Sequence, residues 1–95
     1  MSAYFVMIRE KTTDAAALAE YGAKAGGTLA GHSMKPIAFY GALDQVEGEP
    51  VEGAVILEFA DMAAARAWYD SPAYQEVAKL RHAGSVSRTF FIEGV

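Results

Sequence analysis

Cysteine is absent from the chain. Disulfides, thiol nucleophiles and cysteine-based zinc or iron–sulfur centres are therefore excluded, and the lack of disulfides fits a reducing compartment. Histidine occurs only at His32 and His82. Neither sits in an HxH, HExxH or carboxylate-rich spacing, so no metal site and no cofactor are expected. Positive charge is scarce: eight Lys and Arg stand against twelve Asp and Glu, for a net charge of -4. With no basic stripe to track phosphates, a nucleic-acid partner is not expected. No apolar run approaches the roughly 20 residues of a membrane span. The apolar run in MSAYFVMIREK covers only Ala3 to Ile8, too short for a signal segment. These absences lead to the expectation of a soluble, cytoplasmic protein with no membrane partner. Nucleophile elbows and phosphate loops are missing too. GGTLAG is not G-x-G-x-x-G, and it follows a helical pattern where a phosphate cradle follows a strand.

What is present is apolar: 53% of 95 residues, enough for a folded chain. The length fits one domain, residues 1–95, near the small end of the usual range. Domains of this size bury a limited share of their surface and commonly gain stability by assembling.

The periodicities alternate between strand and helix. Ala3 to Glu10 is β-rich, with Tyr4, Val6, Ile8 on one side and Phe5, Met7 on the other, as in a strand covered on both faces. Asp14 then offers a helix cap. Leu18, Tyr21, Ala25 and Leu29 recur at helical spacing, predicting a helix over about 14–30. Gly22, Gly26 and Ala30 form a strip of small residues, expected to bring that helix close to a sheet. Met34 to Leu43 reads as a second strand and Ala54 to Ala60 as a third. Asp61 caps a helix whose inward stripe is Met62, Ala65, Trp68 and Tyr69. Asp70-Ser71-Pro72 stops it and starts another, with Ala73, Val77, Leu80 and Gly84 expected inward. Ser85 to Val95 is a fourth strand. The order β-α-β-β-α-β is the ferredoxin-like arrangement, an α+β fold with a four-stranded antiparallel sheet and helices on one face.

Helices on one face leave the other bare. Large apolar residues on both faces of the first, third and fourth strands make that surface too apolar for a monomer. A homodimer with sheets face to face is expected, since a two-fold contact needs only one self-complementary surface.

The run from Glu58 to Tyr74, E-F-x-[DS]-M-x-A-A-R-A-W-Y-x-S-x-x-Y, resembles the bacterial family known as domain of unknown function 1330. That family falls within the dimeric α+β barrel superfamily. Arg81, the closing S-R-x-x-x-x-E-G (Ser87 to Gly94), Tyr21 and Glu47-Gly48 also fit, so the likeness covers nearly the whole chain. One region departs. Where such proteins carry Tyr-Gly-Gly and Arg-Gly-Gly around the second strand, this chain reads GHSMKPIAFYG, with only Gly41 matching. The resemblance implies the fold and the dimer. For activity it implies a choice among cofactor-independent monooxygenases, isomerases, haem-using enzymes and simple ligand binders, and fold alone does not choose.

Candidate site residues follow from residue chemistry. Trp68 and Tyr69 either fill the core or wall a cavity between helices and sheet, where aromatic walls suit a small ligand. Arg88 lies beside Phe90 and Ile92 in an apolar strand. A buried arginine needs a carboxylate, either Glu58 or Glu93, or else it anchors an anionic ligand. His32 and Tyr40 are acid–base candidates, and His82 and Arg66 read as surface residues. The expected function is binding of a small hydrophobic or anionic molecule. The alternative is a cofactor-independent monooxygenase or isomerase working through His32 or Tyr40. A cavity above roughly 300 Å³ with convergent His, Tyr and Arg would favour the enzyme, and a filled core the binder.

Overall fold

The computed structural model describes residues 1–95. Strand β1 (Ala3–Thr12) leads to helix α1 (Ala15–Ala25), a 3-10 turn (Gly26–Leu29), and strands β2 (Lys35–Phe39) and β3 (Gly53–Phe59). Helices α2 (Met62–Tyr69) and α3 (Pro72–Gly84) follow, then strand β4 (Ser85–Glu93). The sheet order is β2-β3-β1-β4, with every neighbouring pair antiparallel. This is the expected four-stranded α+β arrangement.

Local chemistry places the helix starts. The Asp14 carboxylate accepts from Ala16 N at 3.1 Å and Ala17 N at 3.2 Å. Asp61 accepts from Ala64 N at 2.8 Å. Ser71 Oγ donates to Trp68 O at 2.7 Å and accepts from Tyr74 N at 3.2 Å, so one hydroxyl closes α2 and opens α3. Each bond satisfies a backbone group that a helix end leaves unpaired.

Two boundaries differ from the sequence reading. The first helix keeps α-geometry only to Ala25. From Gly26 it tightens into the 3-10 turn, because paired glycines give little support to a continuing α-helix. β2 stops at Phe39 because Tyr40 takes a φ of 53°. That left-handed conformation turns the chain out of the strand.

Register sorts the side chains into two layers. Phe5 pairs with Leu57 on one side and Phe91 on the other, and all three face the helices. Val6, between Ile56 and Phe90, faces away from them. The core forms around Phe5, Phe59, Trp68 and Tyr74, all buried. Trp68 lies 4.3 Å from Tyr74 between ring centroids and stacks on Phe59 at 5.6 Å.

The α3 stripe differs from expectation. Tyr74, Ala78, Arg81 and Gly84 are the buried positions, while Val77 and Leu80 are only partly covered. The helix is rotated so that a charged residue, Arg81, points inward. No helix of the structure is long and apolar enough to cross a membrane.

Candidate functional site

A cavity of about 490 Å³ lies between α1 and the helix-facing side of the sheet. Its floor is Phe5, Met7, Val55 and Leu57, and its roof is the α1 stripe of Leu18, Tyr21, Ala25 and, in the 3-10 turn, Leu29. Trp68 closes one side, while Met34, Pro36 and Phe39 line another. Phe39 is 66% exposed and the whole of β2 is exposed, so the mouth lies along this edge strand.

The sequence accounts for the empty space. Gly22 and Gly26 also line the cavity, and a Cβ added at either would meet nothing within 4 Å. The glycine strip, expected to bring α1 close to the sheet, instead leaves the volume between them unfilled. The close approach occurs elsewhere. Gly84 O accepts from Thr13 N at 2.8 Å and Asp14 N at 3.1 Å, and a Cβ on Gly84 would stand 2.7 Å from Leu18 N. This contact holds the start of α1 against the end of α3.

The polar groups of the lining gather at Arg9, Tyr21 and Tyr40. Tyr40 N donates to Ala54 O at 3.0 Å, and its ring rests on Gly53, where a Cβ would be 2.9 Å from Tyr40 Cδ1. The Arg9 guanidinium lies over the ring, 5.2 Å from its centroid. Arg9 Nε lies 3.3 Å from Glu52 Oε1, an ion pair off the angle of a hydrogen bond. Thr12 Oγ1 donates to the same oxygen at 2.7 Å, and that bond, foremost, holds the Glu52 carboxyl below its usual pKa.

Tyr21 and Tyr74 share a hydrogen bond of 2.8 Å between their hydroxyls. Burial, then the neighbouring Tyr74, pushes the Tyr21 phenol well above its ordinary value. Tyr40 keeps 39% of its surface exposed, yet burial of its hydroxyl end raises its pKa too, opposed by the cations Arg9 and Arg81. Both phenols stay protonated near neutrality and present O–H donors. Trp68 Nε1 is occupied by Thr28 Oγ1 at 3.1 Å, so Trp68 offers the cavity its ring.

The candidates from the sequence separate on this map. Trp68 does both things weighed for it: it packs in the core and walls the cavity. Tyr40 lies in the lining. Tyr69 does not. It packs against Phe5, Phe91 and Tyr74, with the Arg66 guanidinium over its ring at 5.5 Å. Arg66 is exposed, as a surface reading expects, and it also pairs with Asp70 at 2.9 Å. The expectation of a buried Arg88 needs correction. Arg88 is on the helix-free face, its side chain is 74% exposed, and its partner is Glu10 at 3.0 Å. Strand alternation sends it to the face shared with Phe90 and Ile92, and in this chain that face is open. Glu58 instead accepts from Tyr4 OH at 3.3 Å. His32 and His82 are both outside the lining. Of the convergent His, Tyr and Arg set, the cavity holds Tyr and Arg. No group of three or more His, Cys, Asp or Glu is placed to hold a metal.

The sequence matches the family described as domain of unknown function (DUF1330) over residues 2–95. The chain belongs to this family. No curated protein matches it. Among solved structures, this DUF1330 chain is similar to a protein of unknown function from Rhodopseudomonas palustris, at TM-score 0.73 and 20% identity, covering 99% of this chain and 82% of that one. It is also similar to SnoaB, a cofactor-independent oxygenase from Streptomyces nogalater, at TM-score 0.67 and 16% identity over 99% and 93% of the two chains. A dimeric protein of unknown function and ferredoxin-like fold from Bacteroides fragilis NCTC 9343 gives TM-score 0.60 and 12% identity over 98% and 96%. At these identities the likeness establishes a shared fold.

Proposed function

We propose that this DUF1330 chain is a cytoplasmic, homodimeric binding protein for a small hydrophobic molecule held between α1 and the sheet. The cavity carries the reading. Its volume of about 490 Å³ falls within the roughly 300–1,000 Å³ typical of ligand sites, and its walls are aromatic and aliphatic. Gly22 and Gly26 add to the case, because a glycine costs a helix about 1 kcal/mol relative to alanine and here keeps the space empty. Binding is favoured over acid–base catalysis because the lining contains no imidazole, carboxylate, amine or thiol. Its two phenols are shifted away from neutrality, so Tyr40 suits donation better than proton abstraction. The oxygenase among the fold relatives supports the catalytic alternative by fold alone, and of its two acid–base candidates only Tyr40 is in the lining. Pairing through the open sheet face is supported by its apolar side chains and by the dimeric fold relative.

The neutral probe N-phenyl-1-naphthylamine tests the cavity. Its fluorescence should rise saturably, with one probe per chain. Gly22→Phe, which places a ring in the empty space, should abolish the rise while circular dichroism stays unchanged. Unsaturable binding, or binding that survives Gly22→Phe, would reject the site.

A further inference from the structure

The cavity is apolar except for a few side chains, and most of those are engaged. Trp68 Nε1 donates to Thr28 Oγ1 at 3.1 Å, and the Tyr21 hydroxyl bonds that of Tyr74 at 2.8 Å. Arg9 is held 3.3 Å from the Glu52 carboxylate. Tyr40 differs. Its hydroxyl has no hydrogen-bond partner in the protein, although its side chain lines the cavity. Among the lining side chains it is the neutral polar group left free for a ligand.

Tyr40 is also strained. Its φ of 53° is the left-handed conformation, which a bulky residue rarely adopts. Glycine takes it freely, and the chain has one at the next position, Gly41, yet the bend falls on the tyrosine. Such strain persists only where the surroundings fix the residue, and it gathers at functional sites. Here the backbone is fixed by the bond from Tyr40 N to Ala54 O at 3.0 Å, which ties it to β3. The ring is fixed by Gly53, where a Cβ would stand 2.9 Å from Cδ1, so that only a glycine leaves the ring in place. Phe39 meets the ring edge-on at 4.9 Å between centroids, and the Arg9 guanidinium lies 5.2 Å from its centre. The phenol is thus held at the cavity mouth, directly after the exposed strand β2.

We infer that Tyr40 sets the specificity of this cavity, and that the ligand is a neutral hydrophobic molecule with a carbonyl oxygen that accepts from the Tyr40 hydroxyl. This deepens the binding reading above and rests on it. A phenol shares its oxygen lone pair with the ring, so it donates better than it accepts, and burial keeps it protonated near neutrality. Arg9 brings donors and no acceptor. The lining therefore answers an acceptor. A carboxylate is the wrong one: with Arg9 paired to Glu52, an anion would enter an apolar cavity without a free counter-charge. The ligand's apolar body lies against Phe5, Leu57 and Trp68, which share the lining.

Two ligands of one shape isolate the carbonyl. 2-Acetonaphthone carries C=O where 2-isopropenylnaphthalene carries C=CH2. Displacement of N-phenyl-1-naphthylamine gives the affinity of each for the wild-type chain and for Tyr40→Phe, which keeps the ring and its contacts. Tyr40→Phe should weaken the ketone about three- to tenfold, the range of one neutral hydrogen bond, and leave the alkene unchanged. The infrared carbonyl stretch of the ketone bound to the wild type should lie below its position in hexane, because hydrogen bonding weakens C=O. In Tyr40→Phe it should move back up. 2-Naphthoate, an anion at neutral pH, should bind the wild type more weakly than the ketone. Equal responses of ketone and alkene, or an unshifted stretch in the wild type, overturn the role of Tyr40 and leave the cavity reading standing. Naphthoate binding more tightly than the ketone overturns the preference for a neutral acceptor. A bound probe that the ketone does not displace overturns this inference alone, and a probe that does not bind overturns both.

Discussion

Two glycines on facing helices have opposite roles. Gly84 sits where α3 meets α1, and any side chain there would strike the Leu18 and Asp14 backbone. Backbone cannot swing aside as a side-chain tip can. Gly84→Ala should therefore destabilise by about 1–3 kcal/mol, the usual cost of overpacking. Gly22 borders open space, so Gly22→Ala meets no obstacle and gains helix propensity. It should stabilise by about 0.5–1 kcal/mol. Urea midpoints moving in opposite directions would check the pair, and a loss of stability in Gly22→Ala would mean that the space is not empty. A reading by residue type treats the two alike. What surrounds each separates them.

At the scale of elements, α3 is the instructive case. Its start is legible in Ser71-Pro72, because capping is a contact between residues close in sequence. Its rotation is not. The apolar residues Val77 and Leu80 suggest one inward face, yet the buried face runs through Tyr74, Ala78 and Arg81. A long arginine stem packs as an apolar chain, so scoring Arg81 by its charge misplaces the stripe by one position. Arg88 differs for another reason: it shares a strand face with Phe90 and Ile92, and that face is open. A signal was present: Tyr74, Ala78, Arg81 and Ser85 recur at intervals of four, three and four. Beside Arg81, partial burial and then the neighbouring cation lower the pKa of His82. A histidine whose folded value lies below its unfolded value of about 6.5 adds stability that is full above that value and fades as pH falls through it. Lowering the pH from about 7.5 to about 5.5 should thus lower the melting temperature of the wild type more than that of His82→Gln. Equal declines would remove His82 from the acid response.

As a whole, the molecule is a slab of 31 × 31 × 17 Å with helices on one side only. Val86, Phe90 and Ile92 stand exposed on the other side, beside partly covered Val6 and Ile56. Sedimentation should give twice the chain mass of 10.1 kDa at micromolar concentration. Val6→Asp, at the centre of that face, should return it to the single-chain value. A wild-type chain that sediments as a monomer would end the face-to-face proposal. The sequence by itself determined the order of elements, the caps and the alternation that makes both sheet faces apolar. These depend on neighbours within a few positions, or on a fixed period of two or about 3.6 residues. Only the tertiary structure decided that the glycine strip leaves a cavity, that Arg81 is the inward arginine, and that Tyr21, Tyr40 and Arg9 line one cavity. Those facts depend on how far apart helix and sheet are held, and residues distant in the chain set that distance.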